Sequence, residues 1–105
     1  MQTERLPSAF LRRIASVLRV MGHSYRLRIV ELLALRGPAP AHGLLAALGG
    51  AQGALSQHLS RLRLAGVIQA ERRGREVWYT LATPGAATIL CLMRTRACRA
   101  ETVQQ

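Results

Sequence analysis

Ala54-Leu55-Ser56-Gln57-His58-Leu59-Ser60-Arg61-Leu62-Arg63-Leu64-Ala65-Gly66-Val67-Ile68 is the stretch that decides the fold. At about 100° per residue, Leu55, Leu59 and Leu62 fall on one stripe of a helix, and such a stripe requires a core. Gly53, Ser56, Gln57 and Ser60 fall on the far side, flanked by Arg61 and Arg63. Small polar groups of this kind hydrogen-bond base edges, and flanking guanidinium groups meet phosphates. Gly66 stops the helix, because glycine accepts the positive φ that helix C-termini commonly need. The β-branched pair Val67-Ile68 then opens a different element. The stretch reads as a recognition helix running into a β-hairpin wing.

Upstream, Pro40 suits the first turn of a short helix carrying Leu44, Leu45 and Leu48, which Gly49-Gly50 breaks. Together with the helix from Gln52 to Ala65 it makes a helix-turn-helix. Further back, Pro7-Ser8 opens a first helix in which Phe10, Leu11, Ile14, Leu18 and Met21 recur at helical spacing before Gly22. His23-Ser24 starts a second, with Leu27, Val30 and Leu33-Ala34 in rhythm to Arg36, closed by Gly37-Pro38. Downstream, residues 67–72 and 75–81 read as strands, since Val77, Tyr79 and Leu81 alternate with Trp78 and Thr80. Arg72-Arg73-Gly74-Arg75 turns between them and sets three arginines at the tip. Pro84-Gly85 begins a last helix with Ile89, Leu90, Leu92 and Met93, made basic at its end by Arg94, Arg96 and Arg99. The expected fold class is mainly α with a small β-hairpin, a winged helix-turn-helix in the order α-α-α-α-β-β-α, as one domain over residues 1–105.

Charge supports a polyanionic partner. The 15 basic residues are all arginine and the 5 acidic ones all glutamate, for a formal net charge of +10. Double-stranded DNA is the partner expected, because the charge coincides with the helix and the wing. Two rivals share the charge. A non-specific nucleic-acid-binding protein is one, but readers of RNA use aromatic stacking platforms, and this chain is 4% aromatic. A membrane-surface protein using the basic last helix is the other. No stretch approaches the ~20 apolar residues of a spanning helix. Arg5, Arg12, Arg13 and Arg19 interrupt the first twenty residues, so no signal peptide is expected and the location reads as cytoplasmic. No nucleophile–base–acid set, phosphate loop or metal cluster is present, which points away from an enzyme.

The element order resembles the ArsR/SmtB family of bacterial winged-helix repressors. Tyr25-Arg26-Leu27-Arg28-Ile29 is similar to that family's second-helix signature. Leu48-Gly49, Gln52, Leu55-Ser56-Gln57-His58-Leu59, Leu62-Arg63 and Ala65-Gly66-Val67 resemble its recognition-helix signature, and Arg72-Arg73-Gly74-Arg75 through Trp78-Tyr79-Thr80-Leu81 its wing. The resemblance covers roughly residues 15–83 and implies a homodimer. The first helix (about 8–21) and the last (about 84–100) would form the interface, with two recognition helices about 34–36 Å apart on a palindromic operator. The DNA-binding residues it implies are Gln52, Ser56, Gln57, His58, Ser60 and Arg61 on the helix and Arg72, Arg73 and Arg75 on the wing. Gly50, Ala51 and Gly53 depart from the pattern. Ala51 stands where Ser or Thr normally caps the helix, which costs about 1 kcal/mol and loosens its start.

Family members release DNA when a metal, metalloid or oxidant reaches a sensor site. Ala39 to Leu48 contains no cysteine, and the last helix has no His or Asp. His23, His42 and His58 are dispersed and read as helix-start or surface residues, with His58 near the DNA backbone. Cys91 and Cys98 remain as candidate sensor thiols. At i, i+7 they lie about 10.5 Å apart on one helix, too far to form a disulfide within it. Across a dimer they could hold a soft metal or trivalent arsenic, or oxidise reversibly, with Arg94, Arg96 and Arg99 favouring thiolate. Thiol-redox relatives keep a partner cysteine on the second helix, where this chain has Ile29-Val30-Glu31. The alternative is that both cysteines pack in an interface, as free cysteines often do, and that the regulator is constitutive.

Overall fold

The computed structural model describes residues 4–83, 85–92 and 94. Four helices come first: α1 (Ser8–Met21), α2 (Ser24–Arg36), α3 (Ala41–Leu48) and α4 (Gln52–Leu64). Three strands, β1 (Ala39–Pro40), β2 (Ile68–Arg73) and β3 (Glu76–Leu81), form an antiparallel sheet in the order β1-β3-β2. Residues 85–92 are helical again. The architecture is the expected winged helix-turn-helix with one addition. Pro40 belongs to a two-residue strand opposite Trp78 and precedes α3, rather than lying in its first turn. A proline is tolerated there because the strand is at the sheet edge, where no ladder donor is missed.

The core forms where the stripe of α4 meets α2. Leu55, Leu59 and Leu62 are buried against Ile29, Val30 and Leu33 of α2 and Leu44 of α3, with Val67 and Ile68 closing the side toward the sheet. α4 ends in a Schellman motif: Val67 N–H donates to the carbonyl of Leu62 (3.0 Å) and Gly66 N–H to that of Arg63 (2.9 Å). Gly66 supplies the required φ of +78°, and the accompanying apolar contact is Leu62 with Val67, both fully buried. The turn from recognition helix into wing therefore satisfies the carbonyls of Leu62 and Arg63.

The hairpin pairs Arg73 with Glu76 around Gly74-Arg75, with Gly74 at φ +64°. Gln69, Glu71 and Arg73 share one face with Trp78 and Glu76, while Ile68, Ala70 and Arg72 share the other with Tyr79 and Leu81. Tyr79 and Leu81 pack on the core. His42 of α3 reaches the turn end of the wing, its Nε2 lying 3.0 Å from Oε1 of Glu76.

The start of α4 is bare. Ala51 occupies the N-cap with extended φ/ψ of −88° and 141°, and no side chain accepts from the first turn. Ala51→Ser should therefore raise stability by about 1 kcal/mol, read as a later urea midpoint at matched protein concentration; an unchanged midpoint would mean that water already satisfies those donors. Leu62→Ala should cost about 2–5 kcal/mol in the same measurement. Leu64→Ala, at a site 89% exposed, should stay within about 0.5 kcal/mol.

Candidate nucleic-acid interface

Burial of the leucine stripe fixes which face of α4 is presented. Gln52, Ser56, Gln57, Ser60 and Arg61 are all exposed, as the helical spacing predicts. Ser56, Gln57, Ser60, Arg61 and Leu64 line a shallow open groove along that face. Side chains of these types carry donors and acceptors suited to base edges.

His58 stands apart from this set. It is half-buried at the edge of the leucine stripe and turned toward α2. Its ring stacks on Tyr25 with centroids 4.9 Å apart and lies 4.6 Å from the ring of His23. Its Nδ1 accepts a hydrogen bond from Nε of Arg26 at 3.1 Å. Burial, then the positive charges of His23, Arg26 and Arg61, hold its pKa below the usual histidine value. The sequence placed His58 near the DNA backbone; the fold gives the ring an internal contact that the sequence did not reveal. Helical geometry carries the signal: at about 100° per residue His58 lies about 40° from Leu62 and about 60° from Leu55, on the shoulder of the core stripe.

Tyr25 and Arg26, noted in the sequence only as part of a family signature, organise this corner. The Tyr25 hydroxyl donates to the carbonyl of Gly49 in the turn between α3 and α4 (2.9 Å). Arg26 Nη1 donates to the carbonyl of Val20 in the last turn of α1 (3.1 Å), satisfying a carbonyl that a helix end leaves unpaired. His23 is a helix-start residue, as expected: its Nδ1 accepts from the backbone N–H of Tyr25 at 3.2 Å.

The three wing arginines differ in surroundings. The guanidinium of Arg73 lies 4.7 Å from the ring centre of Trp78 and 3.7 Å from a carboxylate oxygen of Glu71. Arg72 Nε donates to the carbonyl of Gly74 at 3.3 Å, which folds the side chain over its own turn. Arg75 is exposed at the tip. The net charge gives all three a favourable field for a polyanion.

Of the two candidate thiols, Cys91 is exposed on the last helical segment, in a groove it lines with Glu31, Leu35, Leu90 and Arg94. Cys98, with Arg96 and Arg99, lies outside the described residues. Among the described residues no three His, Cys, Asp or Glu side chains gather as metal ligands, and no helix is long and apolar enough to cross a membrane.

Comparison with known proteins accords with this geometry. The family model for bacterial regulatory proteins of the arsR family matches residues 23–70, from the start of α2 into β2. The uncharacterized HTH-type transcriptional regulator Rv0081 of Mycobacterium tuberculosis is 36% identical over 80 residues, 76% of this chain and 70% of that protein. Its crystal structure superposes with a TM-score of 0.77 at 33% identity, over 95% of this chain and 98% of that one. The HTH-type transcriptional repressor SmtB of the same species is 40% identical over 85 residues, 80% of this chain and 62% of that protein. A homodimeric winged helix-turn-helix DNA-binding domain of Mycobacterium bovis superposes with a TM-score of 0.79 at 25% identity, over 94% of this chain and 93% of that one. With the buried leucine stripe, the polar outer face of α4 and the arginine-tipped wing, these likenesses make the chain a member of the ArsR family: a DNA-binding transcriptional regulator and not an enzyme.

Proposed function

We propose that this regulator is a dimeric repressor that sets α4 into the major groove of a palindromic operator and lays its wing along the flanking backbone or minor groove. The observation that carries the reading is the division of α4 into a fully buried leucine stripe and an exposed polar face. On it, Gln52, Ser56, Gln57 and Ser60 read base edges, and Arg61 meets phosphate. Arg72, Arg73 and Arg75 hold the backbone from the wing, with Arg73 pre-set by its stack on Trp78.

Dimerisation is supported by α1. Phe10, Leu11, Ile14 and Leu18 expose 37–49% of their surface along one side of that helix, an apolar strip that a monomer of this size leaves wet. The Mycobacterium bovis neighbour is described as homodimeric, and SmtB is named a repressor. A two-fold axis through α1 and the last helix brings two copies of α4 one DNA turn apart, about 34–36 Å. The inducer reading attaches to Cys91 and Cys98. An oxidant, a soft metal or trivalent arsenic would act on their thiolates, and Cys91 is exposed beside Arg94 in the groove facing α2.

Fluorescence anisotropy on a duplex selected from a random library tests the reading. Gln57→Ala should cost about 1–3 kcal/mol on the selected duplex and almost nothing on random DNA; equal losses on both would remove it from base reading. Arg75→Ala should weaken both duplexes alike and flatten the salt dependence by about one unit of slope. If the thiols sense, oxidant or arsenite releases the reduced wild type from DNA but leaves a Cys91→Ser/Cys98→Ser variant bound. Release that persists in the double variant, or no release at all, assigns the cysteines to packing and leaves a constitutive regulator.

A further inference from the structure

We infer that His58 is a positioning residue rather than a DNA ligand: neutral, and held by Arg26, it anchors the outer shoulder of α4 to the first turn of α2. The inference rests on the reading of α4 as the groove-facing helix. Its basis is a single guanidinium that spans three elements. Nη1 of Arg26 donates to the carbonyl of Val20 in α1, and Nε of the same side chain donates to Nδ1 of His58 in α4. The ring of Tyr25 covers His58 from α2 while its hydroxyl holds the carbonyl of Gly49. α1, the turn of the motif and the recognition helix are thereby tied to two consecutive residues, Tyr25 and Arg26.

This geometry fixes the protonation state. Arginine stays protonated at any pH at which the protein folds, so Nδ1 of His58 can accept from it only with its lone pair free, and the ring proton sits on Nε2. Protonating Nδ1 removes the acceptor and sets two cations in contact. The charged and titratable groups facing His58 are His23, which precedes α2, Tyr25 and Arg26 on α2, and Arg61 on α4. No carboxylate is among them, and burial with the basic groups favours the neutral ring. Because the folded state holds His58 below its unfolded pKa, the unfolded chain takes up the proton first on acidification. The stabilisation is complete above the unfolded value of about 6.5 and is lost as pH falls through it toward the lower folded value.

The sign of the pH dependence separates the two roles. A histidine lying against phosphate gains charge on acidification and tightens DNA binding. A histidine that must stay neutral to hold Arg26 loosens the recognition helix and weakens it. The test follows affinity by anisotropy from pH 8 to pH 5.5 at constant ionic strength, on a duplex selected at pH 7.5. Loss of one hydrogen bond to a charged group predicts about a tenfold weakening for the wild type. His58→Asn keeps an acceptor where Nδ1 stood and does not titrate, so its profile should be flat within about twofold and its affinity at pH 7.5 near wild type. His58→Gln moves the polar group one bond outward and should already be weak at pH 7.5. Without DNA, the Nε–H resonance of Arg26 should shift in step with the Cε1–H titration of His58. Tightening on acidification that His58→Asn abolishes would overturn the inference in favour of a phosphate contact, and an Arg26 resonance indifferent to that titration would overturn it outright. If selection enriches no duplex, the operator reading fails, and the resonance titration alone decides the anchor.

Discussion

Everything in this molecule depends on burying one side of a thirteen-residue helix. Leu55, Leu59 and Leu62 find their partners in Ile29, Val30 and Leu33 of α2, and Leu62 meets Val67 as the chain leaves the helix. Once that stripe is covered, the helix has no rotational freedom left. Its opposite face must look outward, carrying Ser56, Gln57 and Ser60 with it. A close-packed interior tolerates few alternatives, so the orientation of the reading face is a consequence of core packing.

The polar corner at Tyr25, Arg26 and His58 completes what apolar contact leaves open. A leucine stripe fixes rotation about the helix axis better than sliding along it or tilt. Directional bonds from Tyr25 to Gly49, just before α4, and from Arg26 to His58, midway along it, constrain both. The first lies close to the helix start, where Ala51 provides no cap. The bare N-terminus also leaves unpaired backbone donors and the positive end of the helix dipole exposed, an arrangement that favours anions. A weak cap and an anion-seeking helix start are the same physical feature seen from stability and from binding.

The wing divides its arginines by strand register. Arg72 and Arg73 are neighbours in sequence and therefore face opposite ways. Arg73 falls on the side of Trp78 and Glu71, which hold its guanidinium, and Arg72 on the other. The wing is braced along the middle of β3 by β1 and near its turn by His42 against Glu76. The hairpin is thus held against the helix-turn-helix along β3.

Much of this was legible in the residues. Apolar spacing located α1, α2 and α4 to within a residue, Gly66 marked the end of the recognition helix, and the alternation through Val77 to Leu81 marked the second wing strand, because these are local patterns whose period is set by backbone geometry. The outward face of α4 followed from the same periodicity. Ala39–Pro40 as a strand did not follow, because two residues have no period and only pairing with Trp78 and Tyr79 makes them one. Nor did the role of His58. Its contacts on α2 depend on Tyr25 and Arg26, more than thirty residues away in sequence. The sequence by itself determined which helices form, where they stop and which sides want burial, since those depend on neighbours along the chain. Only the tertiary structure decided which polar side chains remain for a partner and which are consumed inside, since that depends on what the fold brings within hydrogen-bonding distance.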